Sequence, residues 1–81
     1  MREYPVYGLQ VYDHVQRRWI PCASVEPSDR PHYYFDVLYP EYERLVTSAK
    51  EGASPQQKPI GYRTTMDGQP VDVWTNGKVH P

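Results

Sequence analysis

The chain has 81 residues, with nine basic and ten acidic side chains and a formal net charge of −1. We predict one domain over residues 1–81, because a chain this short buries only about 60–65% of the surface that it exposes when unfolded. The near-neutral charge argues against blanket attraction to phosphates or anionic lipids. A single cysteine, Cys22, excludes an internal disulfide and a cysteine-based zinc cluster. The unusual features are eight tyrosines against one phenylalanine and nine prolines against five glycines.

We expect neither a targeting segment nor a membrane span. The N-terminal residues lead into an alternating pattern, and the longest apolar run, residues 19–23, is far shorter than the roughly 20 residues that cross a bilayer. An unpaired cysteine favours a reducing compartment. The sequence therefore predicts a cytoplasmic protein.

The first predicted element is a β-hairpin. Residues 6–15 alternate as a half-buried strand does, residues 16–18 interrupt the pattern, and residues 19–22 resume a strand-like run. Pro21 has no backbone donor, so the second strand lies at an edge or ends there. The apolar residues on one side of the first strand are Tyr7, Leu9, Val11 and Val15.

Residues 26–31 have the composition of a loop, with two prolines, a serine, an aspartate and an arginine. The next segment, 32–38, is ambiguous: its apolar residues alternate as in a strand, but it also suits the beginning of a helix. Pro40 disfavours helical geometry at Tyr39 and is well placed in a first helical turn.

The clearest signal is one amphipathic helix from about Pro40 to Glu51. Acidic residues lie near its N-terminus and Lys50 lies in its last turn, where each complements the helix dipole. Gly52 is predicted to cap the helix in a left-handed conformation. Apolar residues recur at i, i+3, i+4 and i+7, at Tyr42, Leu45, Val46 and Ala49.

A connecting loop, 53–59, leads to a predicted β-meander with strands over 60–66, 70–75 and 78–80. The strands are separated by Asp67-Gly68 and Asn76-Gly77, dipeptides that tolerate the positive φ of tight hairpin turns. We expect the apolar residues of the second strand, Val71 and Val73, to join the core, with Asp72 and Trp74 on the other side.

The predicted fold class is therefore α+β. An N-terminal hairpin and a C-terminal meander form a small antiparallel sheet, and the helix at about 40–51 packs against it. The helix must cover a sheet face, because its apolar stripe cannot be buried in any other way.

No catalytic constellation is evident. Nucleophilic catalysis would require Cys22 to be activated by a histidine, and His14 would have to face it across the hairpin. A cysteine inside an apolar run is more typical of a small core side chain. We therefore predict no enzymatic activity and no catalytic residue.

No metal or cofactor is expected either. Asp13, His14, Asp29 and His32 offer donor atoms, but adjacent residues on a strand point to opposite faces, so Asp13 and His14 cannot both be ligands without a bulge. His80 lies next to the C-terminus. A glycine-rich phosphate loop before the helix is missing from the sequence, which argues against nucleotide cofactors.

The excess of amphipathic rings favours a protein-binding function. Tyrosine, tryptophan and arginine are enriched at interface hot spots, and the chain carries more such rings than its core can hide. We predict a stand-alone accessory factor or inhibitor of the kind that phages and mobile elements encode. The predicted partner-binding residues are Tyr12, Arg17, Arg18, Trp19, Tyr33, Tyr34, Arg63 and Trp74.

The alternative is a module that binds single-stranded nucleic acid. Arg17, Arg18 and Trp19 lie in and just after the predicted first turn, and arginines beside rings suit backbone contact and base stacking. The net charge opposes this reading. Homodimerisation through an open sheet edge is a further alternative for so small a domain.

Overall fold

The computed structural model describes residues 4–79 and confirms the predicted α+β fold. Four strands form one antiparallel sheet in the order β2-β1-β3-β4. A π-helical turn runs directly into helix α1. Within residues 4–79, neither helical segment is long and apolar enough to cross a membrane. The elements are β1 (Tyr7–Asp13), β2 (Arg18–Pro21), the π-helical turn (Tyr34–Leu38), α1 (Tyr39–Glu51), β3 (Gly61–Met66) and β4 (Gln69–Thr75).

Helix α1 covers one face of the sheet, here called the helix face; the other is the open face. The predicted stripe is confirmed, since Tyr42, Val46 and Ala49 are buried. Tyr42 and Val46 pack with Leu9 of β1 and with Leu38, which is fully buried. Burial of a leucine of this kind contributes about 1.5–3 kcal/mol, so this cluster supplies much of the stability of the domain.

The ambiguous segment 32–38 is helical, and the helix begins before Pro40. In the π-helical turn the Tyr39 amide donates to the Tyr34 carbonyl, five residues back. Pro40 has no amide hydrogen to donate, so the backbone ladder is interrupted at this point and tolerates the wider turn.

The end of α1 differs from the prediction. Gly52 has a φ of −89°, so the predicted left-handed cap is wrong. The Gly52 amide donates to the Ser48 carbonyl at 3.1 Å, and the Ala53 amide donates to the Lys50 carbonyl at 3.2 Å. These bonds satisfy helix-end carbonyls without requiring a positive φ.

Two of the three predicted hairpins are present. Asp67 and Gly68, with φ of 50° and 85°, form the two-residue turn between β3 and β4, as expected for a primed turn. In the first hairpin the turn is longer than predicted, because β1 ends at Asp13. Its Oδ1 accepts the Val15 amide at 2.9 Å. Val15, expected on the strand, is therefore in the turn and 76% exposed.

The third strand of the predicted meander is wrong for the residues that can be checked, since 78–79 are not extended in the sheet. Its remaining residue, His80, lies outside the described part of the chain. Asn76 does not form a hairpin turn. Its side-chain Nδ2 donates to the Lys58 carbonyl at 2.8 Å, and the Lys78 ammonium donates to three carbonyls of residues 54–57. These bonds turn the chain towards the 53–60 loop.

The expected orientation of β4 is inverted. Val71 and Val73 are 48% and 54% exposed, whereas Asp72 and Trp74 face the helix. The register of β4 shifts between Arg63 and Thr65 of β3, which marks a β-bulge. A tryptophan buries more apolar surface than a valine, so the face of β4 that carries Trp74 is the one that packs against the helix.

Candidate functional site

A short bridge sets the geometry at the start of β1. The Tyr7 amide donates to the Ser28 carbonyl at 2.9 Å, and the Ser28 amide donates back to the Tyr7 carbonyl at 3.0 Å. The Ser28 hydroxyl also accepts the Arg30 amide at 3.1 Å. The loop before the helix is therefore fixed against the first strand, and Pro31 lines one cavity together with Tyr4 and Pro5.

The chain then turns sharply into the helical segment. His32 has a φ of +64°, a left-handed conformation that is unfavourable for a side chain with a Cβ. The Tyr33 amide donates to the Arg30 carbonyl at 3.1 Å, and the buried Tyr33 hydroxyl donates to the Glu26 carbonyl. Backbone strain and a π-helical turn thus occur within three residues of each other, and both features are concentrated at functional sites in proteins.

Tyr34, the first residue of the π-helical turn, is tied to the sheet through Asp72. Its hydroxyl donates to the Asp72 carboxylate, whose Oδ2 also accepts the Thr64 hydroxyl at 3.2 Å. The Thr64 hydroxyl in turn accepts the Asp72 amide at 3.0 Å. Because Thr64 is fully buried, this network holds Tyr34 in one orientation.

The same network keeps the neighbouring phenols neutral. Burial raises the pKa of Tyr34 well above its usual range, and the hydrogen bond and negative charge of Asp72 add to the effect. Burial also raises the pKa of Tyr42, with the Asp72 charge as the next cause. An acid beside phenols therefore stabilises their protonated, hydrogen-bond-donating form.

Four tyrosine rings form a continuous row along this side of the protein. The Tyr7 and Tyr34 centroids are 5.0 Å apart, those of Tyr34 and Tyr39 are 5.7 Å apart, and those of Tyr39 and Tyr42 are 5.8 Å apart. Phe35 meets the Tyr34 ring edge-on, at 5.2 Å and 88°. These spacings are those of favourable aromatic pairs, so the row is rigid.

Beside this row lies a concave site with a volume of about 250 Å³, here called the aromatic groove. Its walls are four rings, Tyr4, Tyr7, Tyr34 and Phe35, and it is completed by Pro5, Arg30, Pro31 and His32. Phe35 is 73% exposed and Tyr4 is 43% exposed. Every other tyrosine and tryptophan ring within residues 4–79 is buried or half-buried, so the exposed surface of these large rings is concentrated at this groove.

The groove carries cationic and neutral donors, and none of the carboxylates within residues 4–79 lines it. The Arg30 guanidinium carbon lies 5.5 Å from the centroid of the Tyr33 ring. This cation–π contact orients the side chain at the rim. Asp29 and Asp36 are close in sequence but do not line the groove.

Another cavity of about 260 Å³ lies beside β1 and is lined in part by Gly8, Pro21 and Pro27. Its lining contains neither an aromatic ring nor a charged side chain. Its polar side chains are Thr65 and Gln10, and Gln10 already accepts a hydrogen bond from Arg63, so the cavity offers fewer groups that could orient a ligand than the aromatic groove does.

A separate cluster occupies the open face. The Arg63 guanidinium carbon lies 4.5 Å from the Trp19 ring centroid, and its Nε donates to the Gln10 side chain at 2.6 Å. The Tyr12 ring packs edge-on against Trp19 at 5.6 Å. Burial lowers the pKa of Arg63. The members of this cluster are engaged with one another.

The predicted partner-binding residues fall in different places. Tyr12, Trp19 and Arg63 come together on the open face, whereas Trp74 stacks on Tyr62 on the helix face at 6.5 Å. Tyr12 and Tyr33 are buried. Arg17 lies in the first turn and Arg18 at the exposed start of β2, and only Tyr34 lines the aromatic groove.

The candidate catalytic pair is not assembled. The Cys22 amide pairs with the Leu9 carbonyl, so Cys22 lies beside the middle of β1, whereas His14 lies in the turn beyond the end of that strand. The Cys22 sulfur contacts the Ser24 hydroxyl at 3.1 Å. Between residues 4 and 79, no group of three histidine, cysteine or acidic side chains is placed to hold a metal ion.

Among the aromatic and cationic residues of the groove, sequence reasoning did not assign Tyr4, Tyr7, Arg30, His32 and Phe35 to the binding surface. A signal for one of them was present. Three consecutive rings on a helix, at 33–35, point about 100° apart, so they cannot all face one core. Once the segment is known to be helical, this geometry requires at least one of the three rings to leave the core, and Phe35 is the one that does.

Comparisons with protein families, with curated proteins and with solved structures give no match for this chain.

Proposed function

We propose that this protein acts by binding another protein through the aromatic groove and that it catalyses no reaction. The observation that carries the proposal is the position of the exposed rings. The two exposed aromatic side chains, Tyr4 and Phe35, line the same concave site. Exposed rings grouped beside a cation are characteristic of interface hot spots.

The rigidity of the site supports this function. Tyr34 is fixed by Asp72, and the loop that carries Arg30 is fixed by the bridge between Tyr7 and Ser28. Walls that are ordered before binding lose little conformational entropy when a partner docks. Phe35 is the anchor in this proposal, because its ring has the largest exposed fraction of any aromatic side chain here.

Binding of single-stranded nucleic acid has weaker support. At the site expected from the sequence, that function requires Trp19 to present an open ring on which a base can stack. The Trp19 ring is instead covered by the Arg63 guanidinium and packed by Tyr12. The net charge of −1 adds no general attraction to phosphate. We also propose a cytoplasmic location, for which the unpaired Cys22 is the supporting feature.

An affinity pull-down from the cell of origin tests the proposed function. Wild-type protein is expected to recover one stoichiometric protein partner, and Phe35→Ala is expected to recover much less. Val73→Ala is the matched control, because it also shortens an exposed apolar side chain, but one that is placed on the open face by its pairing with Arg63 and does not line the groove. Equal recovery by all three proteins, or recovery of nucleic acid alone, would contradict the proposal.

A further inference from the structure

We infer that the aromatic groove takes an extended, proline-containing peptide that carries an acidic side chain. This inference rests on the proposed function and specifies the chemistry of the partner segment. Three properties of the groove lead to it: its ring walls, its hydrogen-bond donors and its charge.

The aromatic walls of the groove suit packing against proline rings. Tyr7 and Tyr34 are tilted by 47° to each other, and Phe35 stands at 88° to Tyr34, so the groove presents ring surfaces at several angles. Polyproline II segments bind such aromatic-lined grooves, because proline rings pack on aromatic faces and the stiff chain has little entropy to lose.

The hydrogen-bond donors of the groove suit a peptide backbone whose carbonyls have no internal partner. Tyr4 and Tyr7 bring hydroxyls, His32 brings an imidazole and Arg30 a guanidinium. A polyproline II chain makes no internal hydrogen bonds, so its carbonyls need such donors. A helical partner satisfies its own carbonyls, and the donors of the groove would then lose water without gaining an acceptor.

The positive charge of Arg30 favours a partner segment with an acidic side chain. Arg30 is held at the rim by Tyr33, and no carboxylate in the described part of the chain lines the groove to neutralise it. A glutamate or aspartate next to the prolines can therefore form a charge-assisted hydrogen bond with the guanidinium. A basic segment would gain no corresponding contact.

Fluorescence anisotropy with labelled synthetic peptides tests the inference. The probes are a Pro-Pro-Glu repeat, the same repeat with alanine in place of proline, and the same repeat with glutamine in place of glutamate. Wild-type protein is expected to bind the first peptide saturably and each of the others about tenfold more weakly. Circular dichroism establishes that each protein variant is folded.

Protein variants separate the contributions. Phe35→Ala is expected to weaken binding of the Pro-Pro-Glu peptide about tenfold, whereas Val73→Ala leaves it unchanged. Arg30→Gln is expected to weaken binding of the glutamate peptide and to leave binding of the glutamine peptide unchanged. This difference distinguishes a direct charge contact from general damage to the groove.

The inference is overturned if the alanine repeat binds as well as the proline repeat, if Phe35→Ala binds as wild type does, or if no peptide binds. Preferential binding of an amphipathic helical peptide or of a labelled oligonucleotide also overturns it. If the peptides fail while wild-type protein, but not Phe35→Ala, captures a stoichiometric protein, the peptide chemistry is wrong and the proposed function stands. If both experiments fail, both proposals are wrong.

Discussion

The Tyr34 hydroxyl donates a hydrogen bond to the Asp72 carboxylate, and this contact joins the helical segment to the edge strand β4. The two residues are 38 positions apart in the chain. Because Tyr34 is also a wall of the aromatic groove, the shape of the groove depends on a contact made by the last strand of the sheet. A change that breaks this hydrogen-bond network should therefore also alter the shape of the groove.

Removing the buried hydroxyl of this network should destabilise the protein. Thr64→Val preserves the shape of the side chain but leaves the Asp72 amide without its acceptor and the carboxylate with one donor fewer. We expect the free energy of unfolding in urea to fall by about 1–3 kcal/mol. Thr47→Val, on the exposed side of α1, is the control and should change it by less than about 0.5 kcal/mol. Equal effects of the two substitutions would show that the network contributes little.

A glycine on β3 is required by the open-face cluster. A Cβ at Gly61 would lie 2.8 Å from the Cη2 atom of Trp19, so Gly61→Ala must displace that ring from beneath Arg63. We expect a loss of about 1–3 kcal/mol, together with a change in tryptophan fluorescence. Gly52→Ala is the matched control. Its φ is negative and its Cβ has ordinary contacts, so it should be neutral or stabilising by about 0.4–1 kcal/mol. A Gly61→Ala protein with unchanged stability and fluorescence would contradict this packing.

Stability should decrease at alkaline pH because several phenols are held neutral. The pKa values of Tyr34, Tyr42 and Tyr62 are raised above the ordinary value of 10.0, with burial as the largest cause in each case. Below about pH 10 both the folded and the unfolded chain keep these protons, so they add no pH dependence. Above it the unfolded chain loses them first, and the free energy of unfolding falls.

The slope can reach about 1.4 kcal/mol per pH unit for each proton retained only by the folded chain. Urea unfolding measured from neutral pH to beyond the ordinary tyrosine pKa gives this slope. Tyr34→Phe should reduce it, since one of the three groups is then missing. A wild-type curve that stays flat, or a Tyr34→Phe curve that is equally steep, would contradict the assignment of Tyr34.

The first hairpin contains a residue in an unfavourable conformation. Arg17 has a φ of 58° at the end of the turn that precedes β2. Arg17→Gly should raise the free energy of unfolding by about 1 kcal/mol, because glycine adopts this conformation without a Cβ clash. Gln16, one residue earlier, does not have a positive φ. Gln16→Gly therefore relieves no strain and should lower the free energy of unfolding. A lower stability for Arg17→Gly than for Gln16→Gly would contradict this view of the turn.

The parts of the fold that were predictable are those that depend on local chemistry. The stripe at Tyr42, Val46 and Ala49 identified α1, and Asp67-Gly68 identified the second hairpin, because periodicity and turn chemistry are written in neighbouring residues. The alternation also predicted that Val73 and Trp74 lie on opposite faces of β4. It did not predict which of the two faces the helix, because alternation defines two faces without saying which one is covered.

The parts that were not predictable depend on contacts between distant segments. Asn76-Gly77 has the composition of a hairpin turn, yet the Asn76 side chain binds the 57–60 loop instead. At the candidate site, composition indicated an excess of rings but not where they would be exposed. The groove joins residues near the N-terminus to the π-helical turn through the bridge of Tyr7 to Ser28, a contact without a sequence signature.

The central claim is that the aromatic groove is the partner-binding surface, and site-specific photo-crosslinking tests it most directly. A photoreactive amino acid is placed at Phe35 in one protein and at Val73 in another, and both are irradiated in the cell of origin. We expect one predominant cross-linked protein species from the Phe35 position and none from the Val73 position. Cross-linking to the same protein from both positions, or from Val73 alone, would contradict the claim.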